Sequence, residues 1–162
     1  MLNNKVIVIT GGAGLIGQEF VKAVIENSGF AVIADIDSIA GEKIKDALSA
    51  ELATDKIDFV QLDITSKESL KNCIGYLDNK YQRIDALVNN AYPRNANYGR
   101  HFFDVEYDDF STNISLNLGG YFTTSQKFAE YFKLQGKGNI INISSIYGVV
   151  APKFEIYENT PM

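Results

Sequence analysis

The chain has 162 residues, a size typical of a single domain that buries about two-thirds of its unfolded surface. Hydrophobic residues make up 46% and charged residues 22%, as in globular proteins, and no apolar run approaches the ~18 residues that span a bilayer. The net charge of −5 provides no positive field that would collect phosphate backbones. We therefore expect neither a nucleic-acid partner nor a membrane partner.

Short β-branched runs alternate with longer amphipathic segments, a pattern typical of parallel strands covered by crossover helices. The predicted strands are Lys5–Thr10, Phe30–Asp35, Ile57–Leu62, Ala86–Asn90 and Asn139–Ser144. The predicted helices cover residues 15–27, 39–53, 66–81 and 110–134, and the third begins at Thr65 or Ser66, with Glu68 close behind. The pattern predicts one α/β domain over residues 1–162.

The last predicted helix carries apolar residues at near-helical spacing, which predicts one face buried in the core. They are Phe110, Ile114, Leu118, Phe122, Phe128 and Phe132. Gly119 and Gly120 lie inside this helix although each glycine costs about 1 kcal/mol there, which indicates a close approach to another group. We interpret the preceding loop, residues 92–100, as a lid over a site.

Cysteine and histidine are scarce in this chain. The single cysteine, Cys73, cannot form an intramolecular disulfide, and the first residues run into a strand without a secretory signal. We therefore expect a cytoplasmic protein. With His101 as the one histidine, a zinc site lacks ligands and no metal is expected.

The strongest local signal is the segment TGGAGLIG, which follows the first strand and opens a helix. Gly11 permits a tight turn, Gly14 lets the backbone approach a pyrophosphate, and Gly17 lets helix and strand pack closely. Leu15 and Ile16 start the helix, where free N–H groups face an anion. A glycine-rich turn without a ligand is the alternative, but the flanking strand and helix favour dinucleotide binding.

Asp35 closes the second strand, where an acidic residue about 20 positions after the glycine loop bonds the adenosine ribose. Asp37 lies beyond the strand and is interpreted as a helix cap. A carboxylate at position 35 repels a 2′-phosphate, and no Arg or Lys occurs in residues 10–17 or 30–40. The predicted cofactor is therefore NAD rather than NADP.

Together with later motifs, these residues resemble the short-chain dehydrogenase/reductase family over essentially the whole chain. The resemblance implies a Rossmann-type, doubly wound parallel sheet of strand order 3-2-1-4-5, and hydride transfer that uses an Asn, Ser, Tyr and Lys set. Asp63, which Ile64 follows, looks like the acidic residue that the family uses at the adenine end of the cofactor. Asn90 and Ala91, in the run Asn89-Asn-Ala, look like its turn after the fourth strand.

Two residues match the family's catalytic set. Asn117 looks like the helix asparagine that holds a proton-relay water, and Ser145 looks like the serine that hydrogen-bonds the substrate oxygen. The family's Tyr-x-x-x-Lys is interpreted as absent, because Pro161 lies four residues after Tyr157. A tyrosine with an ordinary pKa near 10 needs a nearby ammonium to act at neutral pH, so Tyr157 is interpreted as a loop tyrosine.

Two other features depart from the commoner branch of the family. Glycines at 11, 14 and 17 have the spacing of its extended branch, which includes nucleotide-sugar epimerases and dehydratases, and Tyr92 replaces a usual glycine. Family domains are longer than this chain, which looks like the N-terminal part of a longer enzyme or a truncated product.

The resulting prediction is an NAD-dependent oxidoreductase that interconverts a small-molecule alcohol and a carbonyl, with a sugar or nucleotide-sugar as a candidate substrate. We expect a homo-oligomer at full length and no turnover from the 162 residues alone. The alternative is a non-catalytic dinucleotide-binding module or a truncated, inactive fragment. The fifth strand is expected at an uncovered sheet edge, which would make the chain poorly stable and inclined to self-associate.

Overall fold

The computed structural model describes residues 1–151 and 153–157. In this part of the chain, five strands form one parallel sheet of order β3-β2-β1-β4-β5. The strands are β1 (Val6–Thr10), β2 (Phe30–Asp35), β3 (Ile57–Gln61), β4 (Ala86–Asn89) and β5 (Asn139–Asn142). The predicted fold class and strand order are confirmed, and four of the five predicted strands are one or two residues too long.

Helices connect these strands. The first three are α1 (Leu15–Glu26), α2 (Ser38–Glu51) and α3 (Lys67–Tyr81). A long helix then continues through α4 (Tyr107–Ile114), a π-helical turn (Ser115–Gly119) and α5 (Gly120–Gln135). Short 3-10 turns cover Phe102–Asp104, Ile146–Gly148 and Phe154–Tyr157. No helix among the described residues is both long and apolar enough to cross a membrane.

Polar side chains fix the beginnings of α2 and α3. The Asp37 carboxylate accepts hydrogen bonds from two N–H groups in the first turn of α2, at 3.0 and 2.9 Å, which confirms its role as a cap. The Ser66 hydroxyl accepts from the Ser69 N–H at 3.2 Å. Ser66, rather than Thr65, is therefore the cap of α3.

The sheet is buried by helices on both faces. Side chains of α1 and α2, such as Val21 and Leu48, pack on one face, and side chains of α3 and α5, such as Leu77 and Phe128, pack on the other. Cys73 lies in the second layer, where burial raises the pKa of its thiol to about 12. The central strands β1 and β2 are buried along nearly their whole length.

Burial is much weaker around β5. This strand is the sheet edge beyond β4, as predicted, and three of its four residues are exposed. On the α1 side, an open groove runs between that helix and β5, lined by apolar side chains including Phe20, Val88 and Ile141. The two ends of the sheet therefore differ in how far helices cover them.

The long helix is buried over only part of its length. Phe128 and Phe132 lie in the core, whereas Phe110, Ile114, Leu118 and Phe122 are between 47% and 66% exposed. The prediction of one continuous core face is therefore wrong for its first four residues. Helical spacing places side chains on a common face, but it does not indicate how far the neighbouring elements extend along that face.

The two glycines of this helix have different surroundings. A Cβ at Gly120 would lie 2.6 Å from Cδ1 of Ile64, whereas a Cβ at Gly119 would meet only Oγ of Ser115 at 3.8 Å. The predicted close approach is confirmed at Gly120. It brings α5 against Ile64, which follows β3.

Candidate functional site

The turn after β1 depends on glycine at two positions. Gly11 has φ +62°, and a Cβ there would lie 2.8 Å from Cα of Ala91. At Gly17 a Cβ would lie 2.3 Å from the carbonyl oxygen of Gly11, so this residue packs against the turn itself and not against the strand as expected. Gly14, in contrast, meets only that same oxygen at 3.3 Å and lines an open cleft.

Asp35 connects the end of β2 to the glycine turn. Its two carboxylate oxygens accept hydrogen bonds from the N–H groups of Ala13 at 3.1 Å and Asp37 at 3.2 Å, one bond to each oxygen. A carboxylate oxygen can accept two hydrogen bonds. Each oxygen of Asp35 therefore retains capacity for a further donor, such as a ribose hydroxyl.

A hydrogen-bond network joins the ends of β1 and β4. The Thr10 hydroxyl accepts from the N–H groups of Asn90 and Ala91 at 3.0 and 3.1 Å, and the Asn90 side-chain amide donates to the carbonyl of Gly11 at 3.2 Å. From β1 the chain continues to β2 on one side, while β4 lies on the other. This is the topological switch point where open α/β sheets bind ligands.

One cleft of about 590 Å³ lies at this switch point. Nine of the ten predicted cofactor residues line it: Gly11, Gly14, Leu15, Ile16, Gly17, Asp35, Ile64, Asn90 and Ala91. Asp63, the tenth, faces a neighbouring pocket and accepts hydrogen bonds from the Thr65 N–H and hydroxyl at 2.8 and 2.7 Å. Ile36 and Leu62 add apolar surface beside Asp35 and were not predicted.

Asn117 and Ser145 come together in a second pocket of about 460 Å³, which shares Ile16, Asn90 and Tyr92 with the cleft. The Asn117 amide donates to the carbonyls of Pro93 at 2.8 Å and its own helix at 3.0 Å. Its Oδ1 is buried and accepts no hydrogen bond from a described residue. Asn117 lies in the π-helical turn, a distortion that is frequent at functional sites.

Ser145 follows β5 and is exposed at the mouth of this pocket. Its hydroxyl accepts from the Tyr147 N–H at 3.2 Å and so caps a short 3-10 turn. Behind the pocket, the buried Asn89 amide donates to the Ser125 hydroxyl and to Asn142 Oδ1, at 2.9 and 2.8 Å. This link between β4, β5 and α5 depends on tertiary contacts and has no local sequence signal.

The loop of residues 92–100 is attached to α4. Asn95 and Asn97 donate side-chain hydrogen bonds to one oxygen of Asp109, both at 2.8 Å, and Arg100 donates to the other at 3.1 Å. The Asn95 N–H also donates to Asn113 Oδ1 at 3.1 Å. These bonds attach the loop to α4 along one wall of the cleft, and its interpretation as a lid stays a prediction.

Within this wall, the Tyr92 and Tyr98 hydroxyls are hydrogen-bonded to each other. Burial, followed by that hydrogen bond, raises the pKa of Tyr92 to about 12. Tyr92 therefore stays protonated at neutral pH and can act there as a hydrogen-bond donor, not as a base.

A Tyr-x-x-x-Lys sequence is present after all, on α3 and not after Ser145. The Lys80 ammonium lies 3.1 Å from the Tyr76 hydroxyl and 2.8 Å from Asp58 on β3. Although burial opposes it, hydrogen bonds to Asp58 and Tyr76 raise the pKa of Lys80 above its ordinary value. The interpretation that the chain lacks such a pair is wrong, but the pair precedes the fourth strand instead of following Ser145.

This pair is remote from the second pocket. Strands β2, β1 and β4 lie between β3 and β5. The distance from β3 to β5 is therefore four spacings between neighbouring strands, or roughly 19 Å. Tyr76 and Lys80 therefore attach α3 to the edge strand β3 and do not meet Ser145. The Tyr157 side chain and Pro161, considered above, lie outside the described residues.

Comparison with known proteins identifies the family of this chain. Residues 5–158 match the family described as short chain dehydrogenase. The chain belongs to the short-chain dehydrogenase family. It is 42% identical to "Post-translational flagellin modification protein A" of Campylobacter coli, over 100% of this chain and 63% of that protein. It is 35% identical to the 7alpha-hydroxysteroid dehydrogenase of Bacteroides fragilis, over 91% of this chain and 56% of that protein.

Solved structures of this family have the same fold. The crystal structure of an NAD+-bound xylitol dehydrogenase superposes with a TM-score of 0.83 at 26% identity, and covers 93% of this chain and 56% of that one. The chain thus spans between about half and two-thirds of the length of these relatives.

Proposed function

We propose that this chain binds NAD(H) and forms the cofactor-binding part of an oxidoreductase that interconverts an alcohol and a carbonyl. The observation that carries the proposal is Asp35, whose carboxylate lines the cleft at the end of β2 and retains acceptor capacity on both oxygens. A 2′-phosphate at this position would meet the carboxylate without a cation beside it. The choice of NAD over NADP rests on this charge.

The surrounding residues fit a dinucleotide. Gly14 leaves the backbone of the turn accessible to a pyrophosphate, and Ile36, Leu62 and Ile64 provide apolar surface on the Asp35 side for an adenine. The buried Oδ1 of Asn117 provides an acceptor at the other end. When bound, the cofactor would supply hydride transfer to or from a substrate carbon.

Ser145 and Asn117 are the proposed contributors to the reaction. The Ser145 hydroxyl can donate a hydrogen bond to the substrate oxygen, because the bond it makes within the chain uses it as an acceptor. We assign Asn117 to the support of proton transfer in the same pocket, as the family resemblance implies. No lysine lies four residues after Tyr147 or Tyr157, so we expect only a trace of turnover from these 162 residues.

Fluorescence titration with NADH and NADPH tests the cofactor assignment. Asp35→Ala should weaken NADH binding, and Gly14→Val should abolish it, because its branched Cβ would occupy the space proposed for the pyrophosphate. Asp55→Ala, which removes an exposed carboxylate away from the cleft, serves as the control. Tighter binding of NADPH than NADH would overturn the assignment of Asp35, and normal binding by a folded Gly14→Val would overturn the phosphate site.

An assay of turnover tests whether these 162 residues contain a working proton donor. We expect NADH-dependent carbonyl reduction close to background, with no further change in Tyr157→Phe or Tyr76→Phe. Robust reduction that disappears in Tyr157→Phe would make Tyr157 the proton donor. If NADH binds well and an enzyme extended by a Tyr-x-x-x-Lys pair also remains inactive, the non-catalytic dinucleotide-binding alternative gains support.

A sugar or nucleotide-sugar is the proposed substrate class. The glycine spacing of the turn supports it, and so does the likeness to a xylitol dehydrogenase, while a hydroxysteroid is the competing class suggested by another relative. Thermal melting of the NAD⁺-saturated chain with xylitol, UDP-glucose or a hydroxysteroid separates these classes. Stabilisation by the steroid alone would refute a sugar substrate.

We also propose that the protein self-associates through the exposed apolar side of α4 and the π-helical turn. Phe110 is 58% and Phe122 65% exposed, and apolar patches of this kind commonly mark protein interfaces. Sedimentation velocity should show association that decreases in Phe110→Ser and in Phe122→Ser but not in Leu134→Ser, which also replaces an exposed apolar residue by serine, at the far end of α5. A wild-type monomer at high concentration would contradict this proposal.

A further inference from the structure

One arginine in the wall of the cleft has no acidic partner. The sequence contains three arginines, and two of them pair with carboxylates: Arg83 with Asp85, and Arg100 with Asp109 at 3.1 Å. Arg94 forms no ion pair with a residue that the structure describes. Its positive charge is therefore not neutralised within the described chain.

Aromatic rings hold the Arg94 side chain. Its guanidinium carbon lies 5.9 Å from the centre of the Tyr92 ring and 5.5 Å from that of Tyr98. These rings meet edge to face with centres 5.7 Å apart, and their hydroxyls are hydrogen-bonded. Stacking on aromatic faces restricts a guanidinium and leaves its N–H groups free to donate.

The charge distribution of the cleft makes Arg94 distinctive. Arg94 and Asp35 are the two charged side chains that line it, and the second pocket has none. Asp35 ends β2 and Arg94 follows β4, so β1 and the glycine turn lie between them. In a chain of net charge −5, a guanidinium that lines the same cleft as the start of α1 is suited to an anion.

We infer that Arg94 binds a phosphate group of the ligand held in this cleft, on the β4 side of the glycine turn. The inference rests on the proposed function for the existence of a ligand there, and it adds a recognition residue outside the glycine motif. Two ligands can bring that group: the cofactor through its pyrophosphate, or a phosphorylated substrate. Both present oxygens that a planar guanidinium can bond through two N–H groups.

The test compares the wild-type chain with Arg94→Gln, Arg94→Lys and Arg100→Gln. The last variant removes the same charge from the same loop, but at a guanidinium that already has a carboxylate partner. The probes are NADH, inorganic pyrophosphate, and UDP-glucose added to the NADH-saturated chain. Each is titrated at low and moderate salt, and circular dichroism verifies that every variant is folded.

If the cofactor supplies the phosphate, Arg94→Gln weakens NADH binding roughly tenfold, the size of one charge-assisted hydrogen bond. If the substrate supplies it, NADH binding is unchanged and UDP-glucose binding falls by a similar factor. In either case Arg94→Lys is intermediate, and the salt dependence of binding decreases in Arg94→Gln. Arg100→Gln should bind like the wild type.

The inference is overturned if Arg94→Gln binds all three probes like the wild type, or if Arg100→Gln weakens them equally. Failure of the proposed function looks different. A wild type that binds pyrophosphate through Arg94 but not NADH would refute dinucleotide binding and retain this inference, whereas a wild type that binds none of the three probes refutes both.

Discussion

The two ends of the helix that runs from Tyr107 to Gln135 differ in what they contact. In α5, Phe128 is fully buried and packs with α3 and the sheet. In α4 and the π-helical turn, Phe110 and Leu118 have the same helical spacing but are 58% and 66% exposed. The α5 end contributes to the stability of this domain, whereas the α4 end is available for contacts outside it.

The same contrast applies to the sheet. β1 and β2 are buried on both faces and support the cleft, whereas β5, which leads to Ser145, is exposed at an edge. The proposed cofactor site is thus built on the rigid part of the chain. The proposed catalytic serine follows an edge strand that is mostly exposed, where fluctuations are expected to be larger than in the buried strands.

Removal of a ring should give the largest difference between the two helix ends. Phe128→Ala leaves a cavity in the core and should lower the free energy of unfolding by about 3–5 kcal/mol. Phe122→Ala removes a ring that is 65% exposed and should change it by less than about 0.5 kcal/mol. Urea denaturation at low protein concentration measures both, and similar losses would show that the two ends are equally packed.

The adjacent residues Gly119 and Gly120 test where the exposed part of this helix ends and the buried part begins. Alanine at either position gains the same helix propensity, but at Gly120 its Cβ must displace the buried Ile64 side chain. Gly119→Ala should therefore be more stable to thermal unfolding than Gly120→Ala by about 1–2 kcal/mol. Because Ile64 lines the cleft, Gly120→Ala should also weaken NADH binding. Equal stability of the two variants would contradict the close approach.

Removal of a tyrosine hydroxyl should give the smallest difference in stability between the two helix ends. The Tyr131 hydroxyl donates to Asp78 at 2.7 Å, so Tyr131→Phe should lose about 1 kcal/mol. Tyr107, at the open end, is 79% exposed, and Tyr107→Phe should be neutral.

The pH dependence of the Tyr131 effect follows from its pKa. Burial and the hydrogen bond to Asp78 raise this pKa to about 12, above the ordinary value near 10. The stabilisation is therefore complete below pH 10 and is lost as the pH rises toward 12. Denaturation of both tyrosine variants between pH 7 and 11 checks this, and an advantage of wild type over Tyr131→Phe that grows with pH would contradict the assignment.

Local patterns were sufficient to predict the strands and most of the cleft. β1 is an unbroken run of β-branched residues, and Gly11 and Gly17 after it occupy positions where a Cβ would collide with backbone atoms. Asp35 could be predicted because the distance from the glycine turn along the chain is set by one helix and one strand. These features depend on residues that are close in sequence.

Other features depend on residues that are distant in sequence. The Thr10 hydroxyl accepts a hydrogen bond from Asn90, and Asp109 accepts hydrogen bonds from the loop that carries Arg94. The π-helical turn around Asn117 has no periodic signal. Tyr76 and Lys80 show the opposite case: their spacing is visible in the sequence, but only the strand order shows that they are remote from Ser145.

The Asp58 cluster also determines how the sheet can grow. On the outer strand β3, the Asp58 carboxylate turns inward and accepts hydrogen bonds from Tyr76, Lys80 and Tyr81. An inward-facing charge discourages a further strand at that edge. The opposite edge, Asn139–Asn142, carries no charged side chain. Of the two edges in the described part of the chain, the β5 edge is therefore the more open to pairing with a further strand.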